Sequence, residues 1–154
     1  MTKPRRPRWI AKPPPGLRPK LQRSQVIDLG LAHLANVDAI AKGDGTPEIL
    51  WQLAGGAYTW LAAASTMAER DPQAFAEALA AMQAMVVVCD DVAQRWQRTG
   101  RVGFSGPELL AAREAVGWMD ALAEVVERDD AIVCAEIGEQ RCNRMQQRYE
   151  GATA

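Results

Sequence analysis

Two pairs of carboxylates, Glu124 with Glu127 and Glu136 with Glu139, come closest in type and spacing to residues that do chemistry. Acids three apart share one face of a helix. Two such pairs on facing helices would hold a divalent cation, which polarises a phosphoryl group or activates water. The spacing speaks against it. Eight residues separate Glu127 from Glu136, too few for a turn and a second helix facing the first. On one continuous helix Glu136 would point about 120° away from Glu124. Asp90 and Asp91 follow the uncharged run 84–89, where burial could perturb a carboxylate. Helix neighbours diverge by about 100°, however, and a helix emerging into solvent explains both acids. His33 is the only histidine. As a general base it would need a nucleophile or carboxylate beside it, and the plainer expectation is a hydrogen-bonded structural residue. Cys89, Cys134 and Cys142 cannot all pair and include no CxxC, which favours reduced thiols and speaks against zinc. No Walker A loop, dinucleotide fingerprint, nucleophile elbow or HExxH occurs. The sequence therefore leads us to expect no catalytic residue, no metal and no cofactor.

Charge is the stronger signal. Residues 1–24 hold Lys3, Arg5, Arg6, Arg8, Lys12, Arg18, Lys20 and Arg23 and no acid. The remainder holds ten basic residues against all nineteen acids, a formal −9 beneath a total of −1. Prolines 4, 7, 13, 14, 15 and 19 exclude helix and sheet over most of this arm and favour extended polyproline II. Such an arm either solubilises or packs along the acidic body. Alternatively it tracks phosphates with its cations while Trp9 stacks on a base, or offers a proline-rich ligand to an aromatic groove. A second basic feature, Arg141, Arg144 and Arg148 on one helical face, is a solvated stripe or a contact for an acidic partner. No apolar stretch follows the N-terminal charges as in a secretory signal, so the expected location is the cytoplasm.

The elements that would carry these residues are all helical. The run 49–68 has no charge, with Glu48 before it and Glu69 after. Its apolar side chains point in every direction, as in a helix wrapped by others. Its alanines, glycines and hydroxyl residues make a poor bilayer span despite adequate length. Gly55-Gly56 implies a close neighbour or a kink. Ser24 caps a first helix over 25–42, with Ile27, Leu31, Leu34, Val37, Ile40 and Ala41 turned inward. Thr46-Pro47 and Asp71-Pro72 open the second and third helices. The third runs 72–99, with Phe75, Leu79, Met82, Val86, Val87 and Trp96 as its apolar side and 84–89 deeply buried. Gly100 ends it. The loop RVGFSGP, with Phe104 tucked beneath, leads to the capping box Ser105…Glu108. The pattern Leu109, Ala112, Val116, Met119, Ala123, Val126 slips at Asp130 and resumes at Val133 and Ile137. A single helix over 107–149 would be about 65 Å long, so a break near 128–130 is expected. No element suits a DNA recognition helix, because the second helix presents no polar face to bases.

The strings DLGLAHLANVDAIAKG, LWQLAGGAYTWL and GRVGFSGPELLAA are similar to short uncharacterised helical proteins of proteobacterial phages and integrative mobile elements, over most of residues 8–145. The resemblance implies a bacterial accessory gene and carries no functional motif. The carboxylate pairs resemble the ExxE…ExxD of all-α nucleotide pyrophosphohydrolases, which implies a metal-dependent hydrolase as a third reading. The expectation is an all-α bundle of four or five helices over 24–150 around a buried central helix, with a basic arm over 1–23. Its expected function is that of a non-enzymatic accessory or regulatory protein that binds another protein, with a homodimer as one form. Large apolar residues outside the stripes, notably Trp118 and Met145, motivate this. The alternative is nucleic-acid binding through the arm cations and Trp9.

Overall fold

The structure, a computed structural model, describes residues 18–151. Five helices form one bundle: α1 Arg23–Ala41, α2 Pro47–Arg70, α3 Pro72–Thr99, α4 Gly106–Val125 and α5 Arg128–Glu150. The only bridge outside helices among the described residues joins Lys20 to Glu127.

The charge-free run lies in α2, which packs against all four other helices. Leu50, Leu53, Ala54, Ala57, Trp60 and the alanines 62–64 are buried along it, leaving only its ends and Gln52 exposed. Its hydroxyl residues satisfy themselves within the helix. Thr59 donates to the Gly55 carbonyl (2.8 Å), Ser65 to Leu61 (2.8 Å) and Thr66 to Ala62 (3.0 Å). Back-bonding of this kind hides a polar side chain without a partner from outside. No helix among the described residues is long and apolar enough to cross a membrane.

The start and stop signals of α2, α3 and α4 hold. Thr46 accepts from the Ile49 N–H (3.3 Å) and Asp71 from the Ala74 N–H (3.1 Å), each followed by proline. Gly100 takes φ +75° after α3, as a left-handed C′ residue must. Ser105 and Glu108 form both halves of the capping box. Arg95 straps this corner down: it grips Glu108 with two bonds (2.5 and 3.0 Å) and donates to the Gly103 carbonyl (2.8 Å). The break before α5 also stands, with Val126 and Glu127 in extended backbone.

Where burial departs from the expected stripes, the shift is systematic. In α1 the buried residues are His33, Val37 and Ile40, with Val26 half-buried, whereas Ile27, Leu31 and Leu34 face out. The helix is turned about a quarter-turn from the face that its leucines suggested, because Gly30 meets α4 and His33 meets α2. It also begins at Arg23, ahead of Ser24, with the Gln22 N–H donating to the Gln25 side chain (2.9 Å). In α3, Val87 and Ala84 are exposed, so 84–89 is buried on one side only, through Met85, Val88 and Cys89. Val102 rather than Phe104 is the buried plug of the α3–α4 loop. In α5, Val133 is exposed and the inward stripe is Cys134, Gly138, Cys142, Met145 and Tyr149. Met145 is thus core, and Trp118 is half-buried against the core.

Candidate functional site

The carboxylates do not assemble. Among the described residues no group of three or more His, Cys, Asp or Glu is placed to hold a metal ion. Glu127 meets Arg18 (3.4 Å), at the joint between α4 and α5. Asp90 accepts from the Tyr149 hydroxyl and the Gln94 amide (3.0 Å) and lies 3.6 Å from Arg148, so it anchors α5 to α3. Asp91 is exposed. The three cysteines are buried and unpaired with one another. Cys142 donates to the Trp51 carbonyl (3.1 Å), and burial pushes the Cys89 thiol up to about 12.

Of the arm cations, Lys3, Arg5, Arg6, Arg8 and Lys12 lie outside the described residues, as does Trp9. Arg18 is drawn to Glu127, and Lys20 and Arg23 are exposed. In the α5 stripe Arg141, Arg144 and Arg148 are all exposed, and only Arg148 makes an ion pair among the described residues. A hollow of about 560 Å³ lies under the α3–α4 loop beside Arg95 and Arg101. Arg95 is already committed to Glu108 and Gly103, which leaves this hollow without a convergent charge pair.

What the fold does bring together lies on the two flanks of α1. On the α4 side, Ile27, Leu31 and Leu34 are 50%, 60% and 45% exposed. They stand at i, i+4 and i+7, which places them in one row on the helix. They border a groove of about 400 Å³ whose far wall is Val116, Gly117, Asp120 and Glu124. Gly30 keeps that groove narrow at its floor, since a Cβ there would strike the Asp120 carboxylate.

On the α2 and α5 side a second cavity, about 300 Å³, opens between Leu29, Ile132, Leu21 and Trp60. His33 forms part of its wall and is 8% exposed. The Trp60 indole N–H donates to His33 Nε2 (3.1 Å). An indole nitrogen only donates, so Nε2 carries the lone pair and the imidazole proton resides on Nδ1. Burial holds the His33 pKa below its ordinary 6.5, against an opposing pull from Asp120. The ring is thus neutral at physiological pH. Gly56 makes room for it, since a Cβ there would lie 2.6 Å from His33 Cε1.

His33 is hydrogen-bonded, as expected, and Gly56 supplies the close approach foreseen for the glycine pair. Sequence reasoning missed both flanks of α1. The available signal was that apolar residues cover more of its circumference than one stripe needs. Against protein-family models, curated proteins and solved structures alike, the chain finds no match.

Proposed function

We propose that this protein acts by protein–protein contact rather than turnover, as an accessory or regulatory factor, and that the α4-side flank of α1 makes the contact. The exposure of Ile27, Leu31 and Leu34 in one row carries this reading. Monomeric surfaces scatter single apolar residues, whereas a contiguous row beside a groove marks an interaction site. An i, i+4, i+7 row is also the anchor pattern with which an amphipathic helix enters a groove.

The occupant we assign is a second copy of the chain. Row and groove share one face of the molecule, with the row forming the groove's near wall, and a two-fold axis through that face would pack the two rows and grooves against each other. That is the self-complementarity an isologous dimer requires. The setting in a mobile element, which the sequence resemblance implies, suits a small factor of this kind.

Sedimentation of the wild-type chain and two variants tests the reading. Wild type should associate reversibly with concentration. Leu31→Asp should be monomeric with unchanged helicity, because the site is exposed. Val87→Asp, equally exposed but isolated on α3, should associate like wild type. A wild-type chain that stays monomeric, or a Leu31→Asp variant that still pairs, defeats it. The competing nucleic-acid reading requires binding that weakens steeply with salt and disappears when Arg5, Arg6 and Arg8 become Gln.

A further inference from the structure

The cavity on the other flank of α1 carries a second, independent conclusion. Its walls are mostly hydrocarbon: Leu21 from the segment leading into α1, Leu29 from α1, Trp60 from α2, Ile132 from α5. Small residues, Ala131 and Ala135 on α5, leave room in it, while the space beside Gly56 on α2 is taken by the His33 ring. Its polar groups are nearly all committed. The Thr59 hydroxyl proton goes to the Gly55 carbonyl (2.8 Å), and the Trp60 N–H goes to His33 Nε2 (3.1 Å). His33 Nδ1–H is left. It has no hydrogen-bond partner among the described residues, is not fully buried, and lies beside Gly56, which shares the cavity wall with it. An apolar cleft, open to solvent past Leu29 and Ile132 and with one polar donor in its wall, is the general form of a small-molecule site.

We propose that this cavity binds a small, uncharged, mostly apolar molecule whose single acceptor oxygen takes the His33 Nδ1–H. Each part of the description follows from a feature of the site. The volume lies at the low end for ligand cavities, which run from about 300 to 1,000 Å³, so the molecule is one ring or a short chain. Hydrocarbon walls reward apolar surface. An unpaired charge in such walls would lose far more hydration than one neutral donor returns, which excludes carboxylates and amines. The donor itself selects a carbonyl or similar oxygen. Trp60 acts as a positioning residue: its bond to Nε2 fixes the tautomer and aims the remaining proton.

Three probes of nearly one shape test this on the full chain: acetophenone, α-methylstyrene (a methylene in place of the oxygen) and benzoate (a charge). The readouts are the Trp60 indole N–H and the His33 ring nitrogens by NMR. Both uncharged probes should shift the Trp60 signal saturably, and benzoate should not. Only acetophenone should move His33 Nδ1–H. Hydrophobicity differs between the two uncharged probes, so their affinity ratio is compared across variants. His33→Phe should reduce the preference for acetophenone by roughly three- to tenfold, the range of one neutral hydrogen bond. Ala135→Leu, at the rim, should weaken both uncharged probes at least tenfold by filling the space. If His33→Phe does not fold, the Nδ1–H response of wild type decides. The proposal is overturned if neither uncharged probe saturates, if α-methylstyrene moves Nδ1–H as acetophenone does, if Ala135→Leu leaves affinity unchanged, or if benzoate binds as well as acetophenone.

Discussion

Gly138→Ala adds one methyl group where α5 crosses α2, and the geometry there sets its cost. A Cβ at Gly138 would lie 2.7 Å from the Thr59 backbone nitrogen and 2.8 Å from its Cα, while ordinary contact begins at 3.4 Å. The shortfall is 0.7 Å, the difference between 3.4 and 2.7 Å. Because the obstructing atoms are backbone, no rotamer change relieves it and the two helices must part. Overpacking costs about 1–3 kcal/mol, and an immovable neighbour places this site at the upper end. Alanine returns about 1 kcal/mol of helix propensity. The net loss is about 2 kcal/mol, or roughly 7 °C in Tm for a domain of this size.

Two other helical glycines are internal controls. A Cβ at Gly117 meets nothing within 4 Å, and one at Gly55 makes ordinary contact with Cys142 at 3.8 Å. Gly117→Ala should therefore gain up to about 1 kcal/mol from propensity alone, and Gly55→Ala should be neutral or mildly stabilising. Adding Thr59→Ala to Gly138→Ala removes the hydroxyl but not the backbone contact, so it should not rescue. Urea denaturation of the four variants measures all of this. A Gly138→Ala variant as stable as wild type, or a full rescue by Thr59→Ala, would show that backbone approach does not set the α2–α5 distance.

Three further outcomes are expected. His33 is neutral when folded and has a lowered pKa, so the unfolded chain binds its proton first as pH falls. Its contribution is complete above about 6.5 and is lost between that value and the folded pKa. His33→Phe should flatten stability over that window, where no other histidine titrates; an unchanged slope refutes the assignment. The three buried thiols should resist a water-soluble disulfide reagent in the native state and all react once unfolded; fast native labelling of Cys89 contradicts its burial. Glu108→Ala should cost about 1–2 kcal/mol, because it removes one half of the capping box together with the two-bond, partly exposed ion pair to Arg95. Bonding to Arg95 holds the Glu108 carboxyl below its usual range, so this contribution persists above the ordinary Glu pKa and fades in acid. The variant should lose the corresponding acid limb in a pH titration of stability.

The parts legible in sequence are those fixed by local chemistry. Thr46-Pro47, Asp71-Pro72, Gly100 and the Ser105–Glu108 box each act within four residues, and each falls where expected. The charge-free run could be placed because only a wrapped position tolerates it. The rotation of α1 was not legible, since Ile27, Leu31, Leu34, Val37 and Ile40 make as good a stripe on paper as Val26, His33, Val37 and Ile40. The choice between them is made by contacts distant in sequence, Gly30 against Asp120 and His33 against Gly56. The same holds for α5, where a glycine at 138 and two cysteines mark the inward face in place of the larger Val133. A pattern of large apolar residues is blind to a helix whose closest approach depends on having no side chain. Both flanks of α1 follow from that blind spot.

The joint between α4 and α5 shows how the basic arm enters the fold. Val126 is buried and extended, so it pins the elbow while its geometry prevents α4 from continuing. A new helix starting at Arg128 needs acceptors for its first N–H groups, yet its N-cap, Glu127, makes no side-chain cap bond. The Glu127 carboxylate faces Arg18 instead, and the missing cap comes from the Pro19 carbonyl, which accepts the Arg128 N–H at 2.8 Å. A proline suits the role, having no N–H of its own to satisfy. Asp129 and Asp130 in the first turn add favourable charge at that helix end, and Asp130 also reaches Arg70 at the end of α2 (3.5 Å). The arm's last residues therefore work as the cap of a helix more than a hundred residues away. A contact of that kind ties the segment leading into α1 to the start of α5, and the cavity residues Leu21, Leu29 and Ile132 come from that segment, from α1 and from α5.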